Sequence, residues 1–225
     1  MKNLFFKELK LSIHPLCYVF CLLFGLMGLI PNYPAFIGAI YCIVAYTFLF
    51  LGANKGQTTN DLFYTCNLPI RKQDVVKARI ASCTFMKAMV FTVLLIALAI
   101  KTYVIIPKII ADGGTVQNLG LDFKQGFALF GILILGLSLT DLIYLSWFYK
   151  SGKSIVGPTL VGVLVFCIFA CFTTMIIPMG FPVIIETFTN PVPQILLFVG
   201  CLAAAIGIEF LTYKISKKNL INLDF

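Results

Sequence analysis

The sequence predicts an all-α protein that crosses a membrane several times, and three observations lead to this fold class. Apolar residues make up 60% of the 225 residues and charged residues 12%, against roughly 45–50% and about 25% in a typical soluble domain. The mean hydropathy is +0.99. The apolar residues form runs whose lengths approach the ~17–25 residues that a spanning helix needs. These observations exclude disordered and collagenous chains and argue strongly against a soluble globular enzyme.

Six apolar runs predict six spanning helices in a single domain, residues 1–225. The first run is the shortest, and it lacks the small-residue cleavage site of a signal peptide, so we expect it to be retained. The runs cover residues 15–30, 34–52, 84–106, 123–148, 154–177 and 192–213.

The basic residues predict the orientation of these spans. With the N-terminus in the cytoplasm, 14 Lys and Arg residues fall on the cytoplasmic side and 3 on the outer side. The excess of positive charge inside predicts that both termini are cytoplasmic, with residues 214–225 as a cytoplasmic tail. Because the basic residues cluster at the ends of apolar runs, we expect membrane lipid rather than nucleic acid as a partner.

Residues 1–14 are predicted to form an amphipathic helix. Phe5, Leu9 and Ile13 recur at helical spacing, and Lys7 and Lys10 lie roughly opposite. Such a helix is suited to the cytoplasmic interface of the membrane. A basic N-terminus that only directs insertion is a compatible alternative.

Residues 53–83 are predicted to form the long cytoplasmic loop. Asn60 or Asp61 can cap a short helix that ends near Cys66, and Leu68-Pro69 breaks it before a second helix runs into the third span. The short helix would expose an apolar surface for a partner to grip, unless it is an ordinary amphipathic linker. That surface comprises Leu62, Phe63 and Tyr64.

This loop resembles that of ABC-2-type transporter permeases. The resemblance rests on Asn67-Leu68-Pro69-Ile70-Arg71-Lys72, followed by Val75-Val76 and Ala78-Arg79. Six spans, cytoplasmic termini and an amphipathic N-terminal helix also fit that family. The small size and minimal loops are most similar to permeases of bacterial peptide exporters.

The resemblance implies a multi-pass subunit of the bacterial plasma membrane that exports an amphipathic or hydrophobic substrate, with a peptide as the expected class. It also implies a second permease chain, identical or paralogous, and a P-loop ATPase subunit that holds ATP and Mg. The chain has no GxxxxGK[ST] phosphate loop of its own and is expected not to be an enzyme. The ATPase-coupling role falls on residues 60–66, in particular Asn60, Asp61, Leu62, Phe63 and Tyr64, with Arg71, Lys72 and Asp74 close by.

Charged residues within the spans are candidates for the substrate path or for intramembrane ion pairs. Asp141 in the fourth span could contact a cationic substrate or pair with Lys87 in the third. Glu209 is expected near the cytoplasmic end of the sixth span. Lys87 and Lys101 are interpreted as anchors that reach toward opposite headgroup regions.

Small residues and cysteines in the spans are interpreted as packing residues. Gly200/Ala204 and Ala203/Gly207 in the sixth span form two pairs that let helices approach closely, within the subunit or between subunits, and we favour the first. With a single histidine in the chain, a zinc site is improbable, and no metal is expected.

Two other classes of function are weighed against the permease. A membrane-embedded enzyme would need a nucleophile–base pair or a metal site, and the lone His14 at the membrane edge supports neither. A stand-alone channel or peptide-immunity protein without an ATPase stays open, although no span carries the polar stripe typical of a channel.

Overall fold

The computed structural model describes residues 2–13, 15–26, 29, 65–67, 69–113, 123–151, 156–171 and 190–222, which form helices, turns and bends without a strand. Six helices can be named. These are α1 (Lys2–Lys7, continued by a π-helical turn, Glu8–Ser12), α2 (Pro15–Leu26), α3 (Lys72–Ala111), α4 (Phe123–Ser151), α5 (Val156–Cys171) and α6 (Pro191–Ile221).

The described helices coincide with five of the six predicted spans. Among them α3, residues Phe130–Ser151 of α4, and α6 are long and apolar enough to cross a membrane, and α5 contains a shorter apolar helix. The predicted second span, residues 34–52, lies outside the described residues. The all-helical fold class is confirmed, and the count of six spans stays a prediction.

Helix α3 is longer than the predicted third span at both ends. It begins at Lys72, as a helix running into the span requires, and it continues past Pro107 to Ala111. Proline has no N–H to donate, and a π-helical turn at Lys101–Ile105 precedes it, with the Ile106 N–H bonded to the Lys101 carbonyl. The prediction that the helix ends before Pro107 is therefore wrong. The predicted turn at Asp112 and Gly113 is confirmed, with Gly113 at a φ of +75°.

Helix α6 also extends further than predicted, through most of the tail to Ile221. No glycine or proline interrupts residues 214–221, and one side of this stretch packs onto the protein. Ser216 and Leu220 are fully buried, and the Asn219 amide donates a 2.8 Å hydrogen bond to the Ser146 carbonyl on α4.

Helix α4 lies between α5 and α6 and packs along both. Glycines mark the close approaches. A Cβ atom added at Gly131 would lie 2.9 Å from the Phe198 Cα on α6, and one added at Gly162 on α5 would lie 3.2 Å from Thr140 Cγ2 on α4. These distances leave no room for a larger residue at Gly131 without a shift of the backbone.

Two further packing features involve α3 and α6. Helix α3 packs against α1, α2 and α6, and a buried cluster that includes Leu4, Val76 and Leu145 forms where its first turns meet α1 and α4.

By contrast, Gly200 and Gly207 on α6 are exposed, and a Cβ atom at either would meet nothing within 4 Å. In the described part of the chain, the prediction that these glycines pack within the subunit is wrong.

Candidate functional site: two buried charge clusters joined by α3

The predicted coupling residues are only partly within the described structure. Asn60, Asp61, Leu62, Phe63 and Tyr64 lie outside the described residues. The stretch 65–67 is helical and residues 69–70 form a bend, which confirms the predicted break beside Pro69. The exposed Arg71 then has an extended backbone and precedes the first turn of α3.

The start of α3 brings together the other three predicted coupling residues, Arg71, Lys72 and Asp74. The Asp74 N–H donates a 2.8 Å hydrogen bond to the Arg71 carbonyl, and the Asp74 carboxylate lies 3.9 Å from the Lys77 ammonium. An acidic residue in the first turn interacts favourably with the helix dipole. All three side chains are at least partly exposed, so this helix start presents charge of both signs.

The N-terminal helix packs directly on this region. The Lys7 ammonium donates a hydrogen bond to Thr65 Oγ1, and the Phe5 ring meets the Phe85 ring edge-on at 6.2 Å between centroids. The Tyr18 hydroxyl on α2 donates a 2.8 Å hydrogen bond to the Leu9 carbonyl. Residues 65–67, the N-terminal segment and α3 are thereby held together.

A buried ion pair that the sequence pattern did not predict lies at the centre of this contact. The Glu8 carboxylate lies 2.6 Å from the Arg79 guanidinium, and the two side chains are only 4% and 8% exposed. The buried face of the N-terminal segment differs from the predicted face of Phe5, Leu9 and Ile13. Leu4, Glu8 and Ile13 are buried, whereas Phe5 and Leu9 are half-buried. A signal was present, because Glu8 is the only acidic residue among residues 1–60, and Arg79 shares a helical face with the apolar Val75 and Val76.

A second buried charge cluster, the triad, joins α3, α4 and α6. The Lys87 ammonium lies 2.5 Å from Asp141 Oδ2 and also contacts Glu209 Oε1. The side chains of Lys87, Asp141 and Glu209 are 8%, 5% and 19% exposed. The predicted pairing of Lys87 with Asp141 is confirmed, and Glu209 joins the same pair.

The interpretation of Lys87 and Lys101 as headgroup anchors is wrong in this structure. Both side chains are buried within the chain, whereas an anchor reaches outward along the helix. For Lys87 the reason is that carboxyl groups on two neighbouring helices contact its ammonium group. Spacing along one helix cannot reveal partners that come from two others.

The chemistry of these clusters is that of ion pairing. Among the described residues, no group of three or more His, Cys, Asp or Glu side chains could hold a metal ion. Outside the spans, burial raises the pKa of the Cys66 thiol, and this effect outweighs the opposing charges of Lys72 and Lys7. The Cys66 thiol is therefore a poor nucleophile at neutral pH.

Comparison with known proteins identifies the family. The model of the ABC-2 family transporter protein matches residues 3–220, which is nearly the whole chain. No curated protein and no solved structure matches. Together with the all-helical fold and its three helices able to cross a membrane, this match shows that the chain belongs to the ABC-2 family of transporter proteins, as a permease.

Proposed function

We propose that this permease is the membrane subunit of an ATP-driven exporter that moves an amphipathic or hydrophobic substrate, a peptide in the first instance, out of a bacterial cell. It works with a separate P-loop ATPase that binds ATP and Mg. Membership of a transporter family supports the proposal, and so does the lack of any phosphate-binding loop in the sequence. The proposed topology has six spans with both termini in the cytoplasm.

One observation carries the proposed mechanism: α3 is continuous from the exposed coupling end to the triad. From Arg71 to Lys87 the helix covers roughly 24 Å at about 1.5 Å per residue. A displacement applied at the cytoplasmic end is therefore delivered to α4 and α6, whose carboxylates hold Lys87.

The proposed contact with the ATPase consists of residues 60–64 together with Arg71, Lys72 and Asp74. It is supported by the way in which the adjoining residues are held. The ion pair of Glu8 with Arg79 and the hydrogen bond from Lys7 to Thr65 fasten the N-terminal segment to both sides of the break at Pro69. A force applied to the loop is therefore transmitted to α3 through these contacts.

A second permease chain is proposed to pack against α6, with membrane lipid around the rest. The exposed face of α6 carries Gly200 and Gly207 among large apolar side chains such as Leu196, Val199 and Ile206. Small residues let two spanning helices approach closely. Whether the second chain is identical or a paralogue depends on which copies carry a matching face.

The test is co-purification with the genes that neighbour this one, followed by ATPase and transport assays in lipid. We expect the chain to retain a stoichiometric soluble P-loop protein, and we expect Phe63→Asp or Arg71→Glu to release it. Lys150→Glu is the matched control, since Lys150 is an exposed basic residue at the end of α4, outside the coupling region. The Lys150→Glu variant should keep its ATPase partner bound.

The substrate is tested in the same reconstituted complex. Addition of a cationic amphipathic peptide should raise the rate of ATP hydrolysis and lead to its accumulation inside inverted vesicles. If the chain purifies alone, without an ATPase, and cells that express it are nevertheless protected against the peptide, the exporter proposal is contradicted. That result would favour an immunity protein. Intact transport in a well-expressed Phe63→Asp variant would contradict the coupling assignment.

A further inference from the structure

The triad contains two carboxyl groups and only one cationic group. If Lys87, Asp141 and Glu209 are all ionised, the cluster carries a net charge of −1 at a place where α3, α4 and α6 meet. Each of these helices is long and apolar enough to cross a membrane. An uncompensated charge in such surroundings is strongly disfavoured, and a buried ionisable group tends to neutralise instead.

In the part of the chain that the structure describes, no second cationic group contacts the carboxyl groups of Asp141 and Glu209. Arg79, two helical turns before Lys87 on α3, is already paired with Glu8. Tyr144, one turn beyond Asp141 on α4, is neutral. On α6, Tyr213 lies one turn beyond Glu209 and its ring contacts the Lys77 ammonium, 5.6 Å from the ring centroid.

The surroundings of the two carboxyl groups indicate how the excess negative charge of the triad is compensated. Glu209 Oε1 contacts Lys87, whereas Glu209 Oε2 is buried and has no hydrogen-bond partner among the described residues. The carboxyl groups of Asp141 and Glu209 lie against the same ammonium group, that of Lys87. Two carboxylates placed in this way repel each other, and the repulsion is relieved when one of them is protonated.

We propose that the triad is a proton-binding site, with one proton held on the carboxyl group of Glu209 while Lys87 pairs with the Asp141 carboxylate. The balance is then one ammonium, one carboxylate and one carboxylic acid, with no net charge. Glu209 is the member through which the proton exchanges, because its side chain is 19% exposed and the other two are 8% or less.

Proton binding would make the contact among the three helices depend on protonation. With the proton bound, Lys87 pairs with the Asp141 carboxylate and still donates to Glu209, so that α4 and α6 are both held to α3. Loss of the proton leaves two carboxylates competing for one ammonium group. The triad would bind its proton whether or not a separate ATPase drives the protein.

Infrared difference spectroscopy tests the proposal on the full-length protein in lipid nanodiscs. The carbonyl stretch of a protonated carboxyl group is separate from the bands of a carboxylate. We expect such a band at neutral pH that shifts in D₂O and disappears in Glu209→Gln. It should also disappear in Asp141→Asn, because either substitution leaves one carboxylate for one ammonium and no proton to hold.

The matched control is Glu8→Gln, which removes a buried carboxylate that already has its own cationic partner, Arg79. This control should leave the band unchanged. If Glu209→Gln fails to fold, the Asp141→Asn variant gives the same readout. The proposal is overturned if the wild-type spectrum shows no band of a protonated carboxyl group. It is also overturned if the band is present and neither substitution removes it.

A metal cation is the alternative occupant, and titration with NaCl or KCl at constant ionic strength distinguishes it. The proton proposal expects the band and the thermal stability of the wild type to be the same with either salt. A band that vanishes with one of the two ions, together with stabilisation by that ion alone, would assign the site to the metal cation and overturn the proton proposal.

Discussion

At the scale of single residues, the two buried charge clusters distinguish this chain from a generic bundle of apolar helices. Arg79 and Lys87 both lie on α3, and each is neutralised by residues from other parts of the chain. Removing one partner of a buried pair leaves an uncompensated charge, which costs about 3–5 kcal/mol. The partners are therefore coupled, and substitutions should be made in pairs.

Glu8→Gln is expected to destabilise the packing of the N-terminal segment on α3 by about 3–5 kcal/mol, since Arg79 stays charged and loses its carboxylate. The double variant Glu8→Gln/Arg79→Gln should recover much of this loss. Thermal unfolding in detergent measures the effect. Lys10→Gln is the control, because Lys10 is exposed on the same segment. Equal stability of Glu8→Gln and Lys10→Gln would contradict the buried pair.

At the scale of helices, close approach depends on glycine where α4 meets α6. A side chain at Gly131 would meet the Phe198 backbone, whereas one at Gly207 would meet nothing within 4 Å. Both glycines lie in helices that can cross a membrane. The two glycines differ in the residues that face them. The same substitution at both positions therefore separates the effect of packing on stability from the effect of helix propensity.

Gly131→Val is expected to destabilise the protein by about 1–3 kcal/mol, as overpacking usually does. Gly207→Val should leave the stability of the isolated chain nearly unchanged, because its side chain points into open space. Unfolding of both variants in detergent at the same protein concentration provides the comparison. If Gly207→Val proved the more damaging substitution, the arrangement of α4 and α6 described above would be wrong.

At the scale of the whole molecule, the distribution of basic residues predicts the orientation in the membrane. The 14 Lys and Arg residues assigned to the cytoplasm include those at both ends of the chain. Helix α6 carries Lys214, Lys217 and Lys218 in its last turns, beyond its apolar part. These lysines are expected to face the cytoplasm.

Single cysteines introduced at Lys10 and Lys218, in a background without other cysteines, test this orientation. An impermeant thiol reagent should label both only after the cells are opened. A cysteine at Lys108, on the predicted outer side, should react in intact cells and serves as the control. Labelling of Lys218→Cys in intact cells would contradict the even number of spans.

Sequence patterns were sufficient to predict the fold class, the approximate positions of five helices and the family, since these depend on hydrophobicity, length and local signals. Runs of apolar residues fix where spanning helices form, and Pro69 fixes a break. A short motif around Leu68-Pro69 was sufficient to indicate an ABC-2 permease, which the match over residues 3–220 confirms.

The tertiary structure alone decided which charges meet and which surfaces stay open. Glu8 and Arg79 are 71 positions apart in the chain, and Lys87 and Glu209 are 122 apart, so nothing local links them. A helical pattern gives the face on which a residue lies but not the element that packs there. For this reason the pattern along one helix predicts an anchor at Lys87, does not pair Glu8 with Arg79, and predicts packing within the subunit at Gly207, which is exposed in the structure.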